Sequence, residues 1–348
     1  MAYKPASFLD KYDTILFDMD GVITSEEGYW EAAALTIHEF LNSNKYYGSK
    51  DYDPSFAFSK KAELRAKYFC DDKTIKYVKK LGFNTNWDLA YIVLAIAIHL
   101  EAEDDFEPVY EYLKELNMNA DELCEYIETI LADDLCMPRE HMKRFGDFWT
   151  EIQLSFQEWF LGNKLFEHNW HVREIQPGKQ GIIKTELPVC DKDKIVKVLE
   201  TLSKTHTLGI GTGRPAPEAL GALDAWDIRK YFDETRIINH DYLKRAESHL
   251  ADEGKDVVLS KPHPFIFLKG VFGDEISDCD IAHKKYDKEK CKKTLVVGDA
   301  MCDLKAAVAG DCDFAAVLTG IDGKDARKAF EEANATYILD NVICLCEE

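Results

Sequence analysis

The stretch ILFDMDGVITSEEGYW, residues 15–30, decides how the rest of the chain is interpreted. A short apolar run ends in two aspartates, Asp18 and Asp20, and Gly21 follows at once. An uninterrupted apolar run of this length is typical of a buried central strand of a parallel sheet. Aspartates before a glycine also serve as simple turn or capping residues, so the other strand ends must decide whether this is a functional site.

Two hydrophobic patterns follow this first strand. Residues 26–162 carry apolar side chains three and four positions apart, which predicts helices, including one long helix across MKRFGDFWTEIQLSFQEWFL. After an irregular stretch from residue 162, a helical segment and short apolar strands alternate, as in HTLGIG, TLVVG, DFAAVL and TYILD. This alternation predicts an α/β fold with helices on both faces of a parallel sheet. The helical region is then an insertion after the first strand.

Composition excludes several classes of partner. The chain has 64 acidic and 43 basic residues, a formal charge of −21, which repels nucleic-acid phosphates and anionic lipid surfaces. We therefore expect neither nucleic acid nor a membrane as a partner. The longest apolar stretch, residues 89–100, is too short for a bilayer and predicts a buried helix. Ten scattered cysteines predict free thiols, and with no secretory leader in the sequence we expect a cytoplasmic protein.

Chemically useful residues recur at the predicted carboxyl edge of the sheet. The carboxyl ends of neighbouring parallel strands meet at one crevice, so residues distant in sequence can share a site. In chain order these residues are Asp18 and Asp20, then Thr212 and Gly213, then Lys261 in SKPHPF, and finally Asp299 and Asp303 in GDAMCD. They suit phosphoryl transfer through an aspartyl phosphate, because a carboxylate can attack phosphorus once positive charge offsets the repulsion. Lys261 and Mg²⁺, which prefers hard oxygen ligands, would supply that charge.

Each residue receives a role in this hypothesis. Asp18 is the predicted nucleophile, and Asp20 is the general acid that protonates the leaving alcohol and later activates water. The predicted metal-site residues are Asp18, Asp20, Asp299 and Asp303. The predicted phosphate- or substrate-binding residues are Gly21, Thr212, Gly213, Arg214 and Lys261, of which Thr212 and Lys261 are also predicted to be catalytic. The segment EHNWHVR, with His168, Trp170, His171 and Arg173, is either a second substrate contact or an exposed surface cluster.

These motifs resemble those of the haloacid dehalogenase (HAD) superfamily. FDMDGV resembles motif I, GTGRP motif II, SKPHP motif III and VVGDAMCDLKAAVAG motif IV, and they occur in the order of that family. The resemblance is to the branch of capped phosphatases and phosphomutases, which includes phosphoglycolate phosphatase and β-phosphoglucomutase. It implies a Rossmann-like three-layer core over residues 1–24 and 188–348 and a large helical cap over residues 25–187. The cap is longer than is usual in this branch.

The resemblance also implies Mg²⁺ dependence, an aspartyl-phosphate intermediate and substrate choice by the cap. Dehalogenases of the family lack the second aspartate, so Asp20 favours phosphate esters. The expected function is a phosphatase acting on a small phosphorylated metabolite. Two alternatives stay open: a phosphomutase with the same residues, and a non-catalytic protein that uses the enlarged cap to bind a partner. A homo-oligomer is compatible with the sequence.

Overall fold

The main sheet has six parallel strands and lies in one of two units into which the chain divides. A computed structural model describes residues 3–49, 51–83 and 85–347. The α/β unit comprises Met1–Glu26 and Leu187–Glu348, and the helical unit comprises Glu27–Glu186. The strands are β1 (Lys4–Pro5), β2 (Thr14–Phe17), β3 (Thr207–Gly211), β4 (Ile237–Ile238), β5 (Thr294–Gly298), β6 (Asp313–Val317), β7 (Tyr337–Leu339) and β8 (Cys346–Glu347). Strands β1 and β8 form a separate antiparallel pair.

Strand β2 lies at the middle of the main sheet, whose spatial order is β4-β3-β2-β5-β6-β7. Thr14 pairs with Thr207 on one side and with Thr294 on the other. Alternate residues of β2 enter different hydrophobic clusters, since Ile15 and Phe17 pack on one face and Leu16 on the other. A strand buried on both faces needs an uninterrupted apolar sequence, which explains the run before Asp18. The predicted three-layer α/β fold is confirmed.

In the part of the helical unit that the structure describes there are ten α-helices and a short 3-10 helix, Ile182–Thr185. The α-helices are α1 (Glu27–Asn42), α2 (Pro54–Ser59), α3 (Lys61–Tyr68), α4 (Lys73–Lys80), α5 (Asn86–His99), α6 (Glu107–Leu116), α7 (Ala120–Asp134), α8 (Arg139–Met142), α9 (Asp147–Leu161) and α10 (Asn163–Trp170). Helix α5 is buried along nearly its whole length, as its apolar sequence predicted. Among the described residues, no helix combines the length and apolar character needed to cross a membrane.

A buried charge cluster links Lys179, near the end of the helical unit, to α1 and α9. Lys179 Nζ lies 2.6 Å from Glu39 Oε2 and 2.8 Å from Glu158 Oε2, and none of the three side chains is exposed. Ser155 and Trp159 of α9 also donate hydrogen bonds to Glu39. Burying two carboxylates is tolerable only because the lysine and these donors compensate for the lost water.

The helices of the α/β unit cover both faces of the sheet. They are α11 (Lys192–Leu202), α12 (Ala216–Ala225), α13 (His240–Asp252), α14 (Phe265–Phe272), α15 (Asp278–Ala282), α16 (Lys288–Lys292), α17 (Met301–Ala309) and α18 (Arg327–Glu332). Residues of α11 and α12 belong to the cluster around Ile15, and residues of α13, α14 and α17 belong to the cluster around Leu16. The carboxyl edge of the sheet therefore stays open to the loops that follow β2, β3 and β5.

Two local expectations were wrong, and one strand was not predicted. The long helix predicted from Met142 begins only at Asp147, because Gly146 has an extended backbone that ends the preceding turn. The stretch after Gly162, expected to be irregular, contains α10. Strand β4 was not predicted, because two isoleucines carry no readable periodicity.

Candidate functional site

Three carboxylates converge at the carboxyl edge of the sheet. Asp18 follows β2, Asp299 follows β5, and Asp303 lies in the first turn of α17. One oxygen atom from each lies within 4.8 Å of the others. The backbone amide of Asp18 donates to Val297 O at 2.9 Å, so the pairing of β2 with β5 continues into the site and brings two of these carboxylates together.

Lys261 lies against this carboxylate cluster. Its Nζ is 3.0 Å from Asp18 Oδ1 and 2.7 Å from Asp303 Oδ1, and its side chain is mostly buried. Helix α13 supports the loop that carries the lysine, because Glu247 Oε1 accepts a hydrogen bond of 2.8 Å from Leu259 N. The predicted convergence of strand ends and lysine loop is therefore present in the structure.

Burial and crowding shift the pKa values of this cluster. Burial raises the pKa of Asp18 to about 7, the charge of Lys261 opposes that rise, and the neighbouring charges of Asp303 and Asp20 add to it. Burial lowers the pKa of Lys261, but the charges of Asp18 and Asp303 prevail and raise it above its usual value. The lysine is thus held as a cation, while the carboxylates carry more negative charge than it can neutralise.

The Asp20 side chain is hydrogen-bonded to Arg214 rather than to Lys261. Its carboxylate accepts hydrogen bonds from Arg214 Nε at 3.0 and 3.1 Å and from Arg214 Nη2. Among the described residues, the group that could hold a metal comprises Asp18, Asp299 and Asp303 and does not include the Asp20 side chain. The two motif I aspartates therefore have different electrostatic partners, a lysine for Asp18 and an arginine for Asp20.

Thr212 and Gly213 occupy the loop after β3. The Thr212 side chain is buried, and its Oγ1 accepts a hydrogen bond of 3.1 Å from Arg214 N, so its proton can still be donated to a ligand. Gly213 is exposed, and a Cβ atom placed there would meet no other atom within 4 Å. This open space beside a backbone amide suits an anion such as a phosphoryl group.

Two glycines make room for Asp299. A Cβ atom at Gly21, where φ is +73°, or at Gly320 would overlap the Asp299 carboxylate. Thr319 Oγ1 donates a hydrogen bond to Gly21 O and so ties the loop after β6 to motif I. Sequence reasoning missed Thr319 and Gly320. The only signal was their position just beyond the end of β6, at the same edge of the sheet.

The segment EHNWHVR of the helical unit lies at the end of α10 and just beyond it. His168, His171 and Arg173 are exposed, and the Trp170 ring stacks on Phe166 with 6.3 Å between ring centroids. Within the helical unit these side chains form an exposed surface cluster. Their role as a substrate contact stays a prediction.

The carboxylate cluster fits a hard divalent cation. Lys261 pairs with two of the three carboxylates, Asp18 and Asp303, and Asp303 is fully buried, so a further positive charge would relieve the repulsion within the cluster. Carboxylate oxygens are the ligands that Mg²⁺ prefers, and it commonly binds one or two of them together with water and a substrate phosphate. The glycines beside Asp299 keep its carboxylate among the others.

Comparisons with known proteins agree with this geometry. The HAD-hydrolase-like family model matches residues 258–345, which include Lys261, Asp299 and Asp303. The predicted resemblance to HAD-like hydrolases is confirmed by this match, which covers the C-terminal quarter of the chain. The crystal structure of Northeast Structural Genomics Consortium target ZR25 is 25% identical, with a TM-score of 0.78 over 96% of this chain and 97% of that one.

Two further solved structures are less similar to the chain. Phosphatase Tt82 from Thermococcus thioreducens is 20% identical, with a TM-score of 0.49 over 92% of this chain and 98% of that one. A β-phosphoglucomutase homologue from Thermotoga maritima is 16% identical, with a TM-score of 0.40 over 96% of each chain. These low scores add no argument about activity. No curated protein matches the chain.

Proposed function

We propose that the protein is a Mg²⁺-dependent phosphatase that hydrolyses a small phosphorylated metabolite through an aspartyl phosphate on Asp18. The observation that carries this proposal is the different environment of two aspartates two positions apart. Asp18 lies with Lys261 and two further carboxylates, whereas Asp20 is paired with Arg214. The two roles differ: Asp18 must be ionised to attack phosphorus, which the positive charge of Lys261 favours against the effect of burial, whereas Asp20 must exchange a proton with the leaving oxygen and with water.

The first step transfers the phosphoryl group to the enzyme. A carboxylate oxygen of Asp18 forms a bond to phosphorus, the bond from phosphorus to the leaving oxygen breaks, and Asp20 gives its proton to that oxygen. In the second step Asp20 takes a proton from water, the water oxygen attacks phosphorus, and the bond to Asp18 breaks. Inorganic phosphate leaves, Asp18 is again a carboxylate, and Asp20 is again protonated.

The other residues stabilise the charge that builds up on the phosphoryl oxygens. Lys261 lies beside Asp18 and can contact one of these oxygens, while the Thr212 hydroxyl and Gly213 amide face the same edge of the sheet. Asp18, Asp299 and Asp303 would hold Mg²⁺, which supplies positive charge at the reacting phosphate. We place the enzyme in the cytoplasm, in accord with its ten unpaired cysteines.

Phosphate release from a substrate panel tests the proposal. The panel comprises sugar phosphates, nucleotides, phosphoglycolate and an aryl phosphate, each with Mg²⁺ or with EDTA. We expect release with Mg²⁺ and none with EDTA. A folded protein that binds Mg²⁺ but releases no phosphate would contradict the hydrolase. If the protein instead moved the phosphoryl group within a sugar phosphate, the phosphomutase alternative would replace the phosphatase proposal.

Gly320→Ala is expected to weaken Mg²⁺ binding by about 10- to 100-fold, the range seen when residues that orient a metal ligand are changed. The new Cβ atom would overlap the Asp299 carboxylate and displace it from the cluster. Isothermal titration calorimetry with Mg²⁺ measures the affinity without any substrate. Gly310→Ala is the matched control, because its Cβ would make only ordinary contacts of 3.4 Å or more. Equal Mg²⁺ affinities in the two variants would show that Gly320 does not position Asp299.

A further inference from the structure

The side chain of Arg214 points inward, toward motif I. Arg214 directly follows the second glycine of GTGRP, a position that favours a substrate contact. Its side chain, however, is only 1% exposed. The Asp20 carboxylate accepts from both Nε and Nη2, which is the forked arrangement that fixes a carboxylate in one plane.

Thr24 completes the arrangement around Asp20. Arg214 Nη2 also donates a hydrogen bond of 2.8 Å to Thr24 Oγ1, and this hydroxyl donates to Met19 O at 3.1 Å. Thr24 is fully buried and lies four residues after Asp20 in the motif I loop. The guanidinium therefore links the loop after β3 to two points of the loop after β2.

The backbone of Arg214 is anchored on both sides. Its amide donates to Thr212 Oγ1 at 3.1 Å, and its carbonyl oxygen accepts from His240 N, the first residue of α13, at 2.9 Å. All of these contacts lie within the α/β unit. The arginine is thus a rigid point from which the orientation of Asp20 can be set.

We propose that Arg214 is a positioning residue for Asp20, which it holds toward the leaving oxygen and away from Asp18, Asp299 and Asp303. The inference rests on the proposed phosphatase function. Asp20 is only two positions from Asp18, so a mobile Asp20 could turn toward the cluster and leave the leaving oxygen without a proton donor. A fork that contacts both carboxylate oxygens prevents that rotation, and a lysine cannot reproduce it because it is a point charge.

The dependence of rate on the leaving group tests this role. Two substrates are compared: an alkyl phosphate, whose leaving oxygen needs a proton, and 2,4-dinitrophenyl phosphate, whose leaving oxygen does not. In Arg214→Met and Arg214→Lys we expect kcat on the alkyl phosphate to fall by about 10²- to 10⁴-fold, the usual contribution of a general acid. We expect a much smaller loss on the aryl phosphate. Melting temperatures verify that both variants are folded.

The matched control is Arg229→Met. Arg229 forms a similar fork with Glu234, at 2.7 and 2.9 Å, on the exposed surface of the same unit, and we expect both rates to stay unchanged. Equal losses of kcat on the two substrates in the Arg214 variants would overturn the positioning role. A rise in KM with kcat preserved would overturn it in favour of a direct substrate contact. A wild-type protein inactive on both substrates would refute the proposed function and this inference together.

Discussion

Asp18→Asn is expected to reduce Mg²⁺-dependent phosphate release by about 10³-fold or more, because the loss of a covalent nucleophile typically has an effect of this size. Asparagine keeps the shape of the side chain but cannot accept the phosphoryl group. The fold should survive, because Lys261 keeps its ion pair with Asp303 at 2.7 Å. Burial and neighbouring carboxylates disfavour the charge of Asp18, so the melting temperature should stay unchanged or rise.

The control for this variant is Asp278→Asn. Like Asp18, Asp278 pairs with a lysine of the α/β unit, in this case Lys269 at 3.2 Å. Asp278 lies on α15, outside the carboxylate cluster. We expect this control to retain full activity. Acid-quenched wild-type enzyme should carry phosphoryl label from a labelled substrate, and Asp18→Asn should not. Metal-dependent release that persists in Asp18→Asn would place the nucleophile elsewhere.

Lys179→Met is expected to lower the free energy of unfolding by about 3–5 kcal/mol, because it removes one partner from a fully buried ion cluster. Methionine fills similar volume, so the cost arises from Glu39 and Glu158, which would remain buried without their cation. Every tryptophan except Trp226 lies in the helical unit, so tryptophan fluorescence during urea unfolding follows this unit.

Lys114→Met makes the same substitution at an exposed ion pair of the helical unit. Lys114 lies 3.0 Å from Glu111 on α6, and exposed pairs of this kind contribute little to stability. We expect its unfolding curve to match the wild type. If the two lysine variants unfolded at the same urea concentration, the buried cluster would not stabilise the helical unit.

The location of the site could be predicted from the sequence because it depends on backbone order. Asp18 and Asp299 each follow an apolar strand, and parallel strands must end at one edge. The loop of Lys261 lies between α13 and α14, so its place at this edge was predicted from its motif rather than from a strand. The direction in which a side chain points does not follow from the order of the strands. The sequence placed Arg214 at this edge, but only the structure shows its guanidinium on Asp20.

Elements with weak patterns could not be predicted. Strand β4 has two residues, and its pairing with β3 becomes visible only in the sheet. Gly320 follows a strand as many loop glycines do, and its importance depends on how closely Asp299 approaches it in space. In both cases the deciding contact joins residues that are distant in the chain, so no local pattern records it.

The position of β2 at the middle of the sheet constrains the order in which the chain can fold during synthesis. This strand leaves the ribosome before the other strands of the main sheet, and its neighbours, β3 and β5, come only after the entire helical unit. The inserted helices make their contacts within Glu27–Glu186 and can become structured while the segment ILF still has no strand beside it. The apolar segment therefore lacks one of its two neighbouring strands until β5 has emerged. Motif I, the first part of the site to be made, is among the last to acquire its structure.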